Sequence, residues 1–229
     1  MITFSGLLTA ARTLSYYSRR QEITANNLAN ATTAGFKADR IVAHRPGDLE
    51  SPIPVAATDL SQGALRLTGR PLDIALEGQG FLVVDTPQGE RLTRGGSLRL
   101  DGAGILVTDD GSPVLGEQGP IALTGSRIEI APDGTVTDDG VAVDTLRLVQ
   151  LDDCGQLLKE GTSRYQTAAE PVRATGTMVR QGQLEEANLD SIGGMVSLVE
   201  IQRAYAASVT TLRTMDGVLG SVTTDVARV

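Results

Sequence analysis

The sequence predicts an α+β fold in which long N- and C-terminal helices form a coiled-coil-like stem with an inserted antiparallel β domain. Apolar residues recur at helical spacing at both ends of the 229-residue chain. The middle consists of short runs rich in Val, Ile, Leu and Thr, separated by turn dipeptides. Residues 51–185 hold 19 acidic and 11 basic residues, whereas both ends are nearly neutral. Both ends show helical spacing and little net charge, whereas the middle is acidic and rich in strand-forming residues. This arrangement indicates that a β domain is inserted between two paired helices.

The N-terminal element is a helix from about Phe4 to Asn30, a stretch with no Pro and one Gly. Its stripe repeats every 3.5 residues, the spacing of a coiled-coil seam. Ser18 and Gln21 interrupt the stripe in its centre. The N-terminal seam comprises Leu7, Ala11, Leu14 and Ala25.

The segments divide the chain into five parts. We expect a stem segment over 1–43, an extended Pro-containing linker over 44–58 and the β domain over 59–170. A return segment over 171–187 leads into the C-terminal helix, 188–229.

The β domain is predicted from runs that alternate with turn signals. Four Asp-Gly pairs favour type I′ hairpins, because both central residues of that turn need positive φ. These pairs are Asp101-Gly102, Asp110-Gly111, Asp133-Gly134 and Asp139-Gly140. The expected strands are Ala64–Thr68, Leu72–Leu76, Phe81–Asp85, Arg91–Arg94, Leu98–Leu100, Ile105–Thr108, Pro120–Leu123, Arg127–Ile130 and Leu146–Leu151.

The C-terminal helix carries the stronger stripe. It runs from about 189 to 226, or about 57 Å at 1.5 Å per residue, with Asn188 as its expected N-cap. A helix of this length with a heptad stripe needs partner helices. Its seam comprises Leu198, Ile201, Tyr205, Leu212, Met215, Leu219, Val222 and Val226, with the polar Ser208 among them. A second stripe on a neighbouring face comprises Leu189, Ile192, Val196 and Val199.

Composition excludes several classes of protein. A net charge of −8 argues against nucleic acid and anionic lipid as partners. The single cysteine, Cys154, excludes an internal disulfide and a cysteine-rich zinc site. No apolar run reaches the ~18–20 residues of a membrane span, so we expect no membrane insertion. Residues 1–20 lack the pattern of a cleavable signal peptide.

Residues suited to catalysis are scarce, so we expect no catalytic, cofactor-binding or metal-binding residues and no enzyme. The single histidine, His44, lies in the linker and cannot form a catalytic triad alone. Gly78-Gln79-Gly80 lacks the last glycine of a phosphate-binding loop. Three carboxylate pairs fit solvated hairpin tips better than a metal or hydrolase site: Asp109–Asp110, Asp138–Asp139 and Asp152–Asp153.

The most informative segment ends the first helix. Asparagines favour helix ends, and Gly35 permits a backbone angle that other residues avoid. Phe36 is one of three phenylalanines and is expected to anchor the turn in a core. We therefore assign an assembly motif to Asn26, Asn27, Leu28, Ala29, Asn30, Thr33, Gly35, Phe36 and Lys37.

This motif, in the string A-N-N-L-A-N-A-T-T-A-G-F-K, resembles the N-terminal signature of bacterial flagellar rod and hook proteins. Three further segments resemble the same family, in the same order along the chain. They are L-S-Q-G (60–63) with T-G-R-P-L-D-I-A-L-E-G-Q-G-F (68–81), L-T-R-G-G-S-L (92–98), and Q-G-Q-L-E-E-A-N (181–188) with Q-R-A-Y (202–205). The chain is most similar to the proximal-rod members that carry a β insertion, and next to the distal-rod members.

The resemblance implies a structural subunit of the flagellar basal-body rod, a torque-transmitting shaft that crosses the periplasm. It implies partners that are copies of the chain, other rod subunits and the flagellar type III export apparatus, which uses no cleaved signal peptide. From the residues alone, two other classes remain open. The chain could be an exported adhesin or carbohydrate-binding β module on a coiled-coil stalk, or a hydrolase that uses Asp109 and Asp110.

Overall fold

A computed structural model describes residues 4–44, 53–152, 155 and 157–226 of the chain. Asp153 and Cys154, singled out above, lie outside the described residues. The side chains of five other positions of interest also lie outside the description: Leu7, His44, Leu219, Val222 and Val226.

The chain divides into two compact units by its internal contacts. We call Met1–Ala29, Asp39–Thr58 and Asp190–Val229 the helical unit. We call Asn30–Ala38 and Asp59–Leu189 the β unit. Each unit therefore contains residues from distant parts of the sequence.

The helical unit contains two helices and one hairpin. Helix α1 spans Phe4–Ala29 and helix α2 spans Ser191–Val226. Strands β1 (Asp39–His44) and β2 (Ile53–Thr58) form an antiparallel pair that lies against α1. Residues 53–58, expected to belong to an extended linker, thus form a strand. Within the described residues, neither helix offers a stretch long and apolar enough to cross a membrane.

The predicted coiled-coil-like stem is wrong, although the inserted β region is present. The structure has one helix of 26 residues and one of 36, which contact each other, and no long coiled-coil stem. A coiled coil requires a continuous row of buried apolar side chains along both partners. Among the described side chains, each helix buries only one large apolar residue, Ile23 in α1 and Ile201 in α2. The polar and small residues of the α1 stripe cannot provide the further large apolar side chains that a coiled coil would bury.

The β unit contains fifteen strands among its described residues. Eight of the nine expected runs overlap one of them, whereas 120–123 makes only isolated bridges. The strands are β3 (Leu65–Leu67), β4 (Ile74–Glu77), β5 (Phe81–Thr86), β6 (Gly89–Thr93), β7 (Leu98–Leu100), β8 (Leu106–Thr108), β9 (Ile128–Ile130), β10 (Thr135–Asp138), β11 (Val141–Thr145), β12 (Leu148–Gln150), β13 (Leu157–Glu160), β14 (Arg164–Thr167), β15 (Val172–Arg173), β16 (Met178–Gln181) and β17 (Gln183–Glu185).

All strand pairs among the described residues of the β unit are antiparallel. The largest sheet has the order β13-β14-β6-β5-β12-β15. Strand β17 pairs with β3, and β16 pairs with β4. These two pairs hold the last part of the β unit against its first strands.

Two apolar clusters form the core of the β unit. The larger is aliphatic and includes Ile74, Leu82, Leu98 and Leu146. The smaller surrounds Tyr165, whose ring meets Phe81 edge to face at 5.7 Å. With few aromatic residues available, branched aliphatic side chains fill the interior, as the composition predicts.

One of the four Asp-Gly pairs has the backbone of a type I′ turn. Asp139 and Gly140 both have positive φ, 49° and 84°, and they join β10 to β11. In the other pairs the aspartate keeps a negative φ. The dipeptide therefore marks turns reliably but does not fix their type.

Candidate functional site

The assembly motif begins as a helix end and finishes in the core of the β unit. After α1 ends at Ala29, the Thr33 amide donates to the Asn30 carbonyl (3.0 Å) and the Phe36 amide donates to the Thr33 carbonyl (3.2 Å). Gly35 follows in a left-handed conformation with φ 68°. Gly35, Phe36 and Lys37 are buried, whereas Asn26 and Ala29 are exposed and Leu28 is half-buried. The motif thus turns the chain and inserts three residues into the β unit.

Asn27 fixes the start of the hairpin within the helical unit. Its side-chain Nδ2 donates to the Asp39 carbonyl (2.8 Å), and the Asp39 amide donates to its Oδ1 (2.9 Å). An amide side chain can satisfy both backbone groups of one residue in this way, as a neighbouring strand would. This pairing explains why an asparagine stands in the last turn of α1.

A buried ionic cluster of Lys37, Arg94 and Glu185 occupies the β unit where the chain enters and leaves it. Lys37 Nζ lies 2.5 Å from Glu185 Oε1, and Arg94 Nη1 lies 3.1 Å from Glu185 Oε2. The side chains of Lys37 and Glu185 are fully buried, and that of Arg94 is 3% exposed. One carboxylate therefore pairs with two basic side chains that lie 57 residues apart in the sequence.

Backbone groups add further hydrogen bonds to the cluster, although the buried Arg94 Nε has no hydrogen-bond partner among the described residues. Lys37 Nζ also donates to the Ser61 carbonyl (2.7 Å), and the Gly63 amide donates to Glu185 Oε1 (2.9 Å). Arg94 donates to the carbonyls of Leu76 (3.2 Å) and Gly78. Buried charges are tolerated when such bonds satisfy them, and removal of one partner is then costly. The cluster joins the assembly motif to four other segments of the β unit, at residues 61–63, 76–78, 94 and 185.

Burial lowers the pKa of Lys37 below its ordinary value, against the hydrogen bond and charge of Glu185, which act to raise it. In the interval between the folded and unfolded pKa values of Lys37, the unfolded chain binds more protons than the folded chain. The contribution of Lys37 to stability therefore rises with pH through that interval.

We compare the free energy of unfolding of the natural chain with that of the variant Lys37→Met. The natural chain should become more stable relative to the variant as the pH is raised from neutral towards 10.5, the ordinary pKa of lysine. Methionine removes the titrating group and keeps an unbranched side chain. Urea unfolding of both proteins across this pH range measures the difference. A difference that falls with pH would contradict the assignment of a lowered pKa.

Phe36 and Lys159 form a second contact at the motif. Lys159 Nζ lies 4.0 Å from the centre of the Phe36 ring and donates to the Lys37 carbonyl (2.7 Å). A cation over an aromatic face is attracted by the ring's negative charge distribution. Lys159 therefore connects strand β13 to two of the three buried residues, Phe36 and Lys37.

Asn188 joins the two ends of the β unit instead of capping α2. Its Oδ1 accepts from the Ala38 amide (2.8 Å), and its Nδ2 donates to the carbonyls of Asp59 (2.7 Å) and Ser61 (3.0 Å). The N-cap of α2 is Asp190, whose carboxylate accepts from the Ile192 amide (3.1 Å). The expected cap is therefore displaced by two residues, because Asn188 has a set of partners distant in the sequence.

Gly35 is required by close packing as well as by its φ. A Cβ at this position would lie 2.3 Å from the Arg94 carbonyl oxygen. Gly63 is similar, since its Cβ would lie 2.0 Å from the Glu186 carbonyl oxygen. The backbones that carry the ionic cluster thus approach each other more closely than any side chain allows.

Gly35→Ala should destabilise the β unit more than Gly69→Ala. Both glycines have similar φ, 68° and 74°, so both variants incur the left-handed cost of roughly 1–2 kcal/mol. Nothing lies within 4 Å of a Cβ at Gly69, so only Gly35→Ala adds a clash, at a further cost of about 1–3 kcal/mol. Urea unfolding measures both losses. Equal losses would show that the close approach to Arg94 is unimportant.

The predicted helix seams are only partly buried. In α1, Leu14 is half-buried, whereas Ala11 and Ala25 are exposed. In α2, Ile201 is buried and Tyr205 is exposed. Three further α2 seam residues are half-buried: Leu198, Leu212 and Met215. Ala10, next to the predicted seam residue Ala11, is half-buried, whereas Ala11 is exposed.

Carboxylates from two of the three pairs, Asp109–Asp110 and Asp138–Asp139, accept hydrogen bonds from loop residues. Asp138 Oδ2 accepts from the amides of Thr124 (2.9 Å) and Gly125 (2.8 Å). Asp110 Oδ2 lies 2.5 Å from Arg164 Nη1. Burial acts to raise the pKa of Asp110, but the Thr108 hydroxyl and the Arg164 charge outweigh it and hold the pKa below its usual value. These carboxylates serve as structural acceptors in the loops.

Lys37 belongs to the assembly motif predicted from the sequence, whereas Arg94 and Glu185 were not predicted as site residues. Both lie inside segments quoted for the family resemblance, within L-T-R-G-G-S-L and Q-G-Q-L-E-E-A-N. Arg94 stands at the end of an expected strand, Arg91–Arg94, and before two glycines, whereas Glu185 follows the apolar Leu184 in the expected return segment. Pairing such charges across these segments could have indicated the cluster.

Three family comparisons cover the same parts of the chain that build the cluster. The family described as flagella basal body rod protein matches residues 7–37, which include Lys37. The flagellar hook protein FlgE/F/G D1 domain matches residues 75–138, which include Arg94. The flagellar basal body rod FlgEFG protein C-terminal family matches residues 180–225, which include Glu185.

Curated relatives match along most of their length. The flagellar basal-body rod protein FlgF of Caulobacter vibrioides is 35% identical over 206 residues, which cover 82% of this chain and 83% of the relative. FlgF of Escherichia coli is 33% identical, with 92% of this chain and 93% of the relative covered. The flagellar basal-body rod protein FlgG of Buchnera aphidicola from Acyrthosiphon pisum is 30% identical, with 86% and 90% covered.

Proposed function

The chain belongs to the family of flagellar basal-body rod proteins, and on that basis we propose that it assembles through its terminal helices into the torque-transmitting shaft of the flagellum. It is a structural subunit of the rod of the basal body, of the proximal-rod type to which its FlgF relatives belong. Its partners in this proposal are copies of itself and other rod subunits.

The observation that carries the proposal is the distribution of exposed apolar side chains. In the helical unit, large apolar residues remain exposed along both helices, among them Leu8, Tyr16, Ile192 and Tyr205. Contiguous exposed apolar surface is typical of protein–protein interaction sites. Burial of apolar surface contributes about 25 cal/mol per Å², so long helices can supply strong contacts once neighbours cover them.

The assembly motif has a second role in this proposal. Asn26, Asn27, Leu28, Ala29 and Asn30 end α1 and fix the hairpin, while Thr33, Gly35, Phe36 and Lys37 secure the entry into the β unit. The N-terminal and C-terminal seams then serve contacts between subunits. Transmission of torque requires that the segments at which the chain enters and leaves the β unit do not move relative to each other. The ionic cluster joins these two segments through Lys37 and Glu185.

We further propose that the role is structural and not catalytic, and that the flagellar type III export apparatus delivers the chain. A strain that lacks the gene should be non-motile and should lack complete rods in purified basal bodies. Supplying the full chain from a plasmid should restore both. A motile deletion strain with normal basal bodies would contradict the proposed function.

A further inference from the structure

Residues 178–188 carry the last two strands of the β unit, and we call them the closing strap. Among the described strands, β4 pairs only with β16 and β3 pairs only with β17. The strap also buries two apolar side chains, Val179 and Leu184. The first strands of the β unit therefore depend on its last strands for their pairing.

The closing strap holds the buried end of the assembly motif. The Gly35 amide donates to the Glu185 carbonyl (2.7 Å), and the Glu185 carboxylate pairs with Lys37. The Asn188 amide donates to the Phe36 carbonyl (3.4 Å). Three consecutive residues of the motif thus each make a polar contact with the strap.

Further backbone bonds join the strap to the first strands. The Thr68 amide donates to the Gly182 carbonyl (2.8 Å), and the Gly182 amide donates to the Asp73 carbonyl (2.7 Å). The Glu186 amide donates to the Ala64 carbonyl (2.8 Å). Thr68 and Gly182 are 114 positions apart in the sequence. Contacts over such separations close long loops of chain, so they form late in folding.

Most of the core of the β unit does not include the strap. The smaller apolar cluster contains none of its residues, and the larger cluster contains only Val179 among its buried members. The largest sheet also contains short hairpins, since only Pro87 and Gln88 separate β5 from β6. This sheet and most of its packing can therefore persist when the strap is detached.

Charge makes docking of the motif conditional on the strap. Lys37 and Arg94 are buried when the motif is docked, and Glu185 is the carboxylate that pairs with both. A buried basic side chain without its partner is strongly destabilising. The motif should therefore not stay docked once the strap has left.

We infer that the closing strap and the buried end of the assembly motif dock and undock together, in one cooperative step that leaves the largest sheet folded. The inference goes beyond the proposed function, because it concerns the β unit of a single chain. One consequence rests on the proposed function. A chain that the export apparatus has delivered only in part, without its strap, keeps its assembly motif undocked.

Hydrogen exchange of the purified full chain in low concentrations of urea, followed by NMR, tests the inference. The amides of Gly35, Gly182 and Glu186 make bonds that the step breaks. The amides of Leu115 and Asp85 bond to or from strand β5 of the largest sheet. The first three should share one opening free energy, and it should be lower than that of the other two.

Two substitutions distinguish the step from global unfolding. Val83→Ala removes buried methyl groups from the largest sheet, so it should speed exchange at Leu115 and Asp85 by roughly tenfold or more. It should leave exchange at Gly35, Gly182 and Glu186 unchanged, because the sheet stays folded when the strap detaches.

Glu185→Gln should speed exchange at Gly35, Gly182 and Glu186 by one common factor of roughly a hundredfold, because it leaves two buried basic side chains without their carboxylate. Glu186→Gln is the matched control. Its ion pair with Arg66 is half exposed, so the factor should be no more than about fivefold.

The natural chain alone already decides the question. Protection of Gly35 at urea concentrations where Gly182 and Glu186 exchange would show that the motif docks without the strap, and would overturn the inference. One opening free energy shared by all five amides would also overturn it, because no separate step would exist. Neither result bears on the proposed function, which the deletion strain tests.

Discussion

A chain that lacks Tyr205–Val229 should fold its β unit normally and yet fail to enter the rod. The deletion removes more than half of α2, including Ser208, Thr211 and Met215, which line a groove against α1. The residues of the ionic cluster and both core clusters lie within the β unit and are retained. A lone helix without its partner is marginal in water, so the loss should extend to the packing of α1.

Two measurements separate folding from assembly in this variant. The urea midpoint of the β unit should match that of the full chain, and swimming should be abolished in a deletion strain that produces the truncated chain. Recovery of swimming would contradict the role of the terminal helices. Loss of the β unit's unfolding transition would instead show that α2 is needed for folding.

Glu185→Ala should lower the free energy of unfolding of the β unit by about 3–5 kcal/mol, the cost of leaving buried charge without its partner. The substitution removes the carboxylate that pairs with Lys37 and Arg94. It also removes the acceptor of the Gly63 amide. This loss lies well above that of a typical surface substitution, which usually stays within about 0.5 kcal/mol.

The neighbouring residue supplies the control. Glu186 also forms an ion pair, with Arg66 at 2.9 Å, but both side chains are about half exposed. Such pairs contribute about 0–1 kcal/mol, so Glu186→Ala should have little effect. Urea unfolding of the two variants gives the comparison directly. Similar losses at positions 185 and 186 would show that the buried cluster does not stabilise the β unit.

The existence of two helices and an inserted β region could be predicted because period and turn dipeptides are local signals. The side of each helix that packs against its neighbours could not be predicted. Small residues occupy adjacent positions such as Ala10 and Ala11, so hydrophobicity alone does not distinguish two stripes one residue apart. The same limit explains Tyr205, which fits the heptad stripe but is exposed, whereas Ala204 is half-buried. The spacing of apolar residues predicts a helix, but it does not show which side of that helix another helix will cover.

The ionic cluster could be predicted only in part, because its members are distant in the sequence. Lys37 and Glu185 are separated by 148 positions. No local pattern links them, and a charged residue after an apolar one usually indicates a solvated surface. The hairpin of β1 and β2 was missed for a related reason. Pro52 and Pro54 indicated a linker, since proline cannot donate to a strand ladder, yet proline is tolerated in edge strands.

The central claim is that the terminal helices make this chain a building block of the rod. The most direct test is the amount of the chain in purified basal bodies, measured by mass spectrometry for the full chain and for the Tyr205–Val229 deletion produced at equal levels. The account predicts a fixed amount of the full chain per basal body and none of the truncated chain. Equal amounts of both would contradict it.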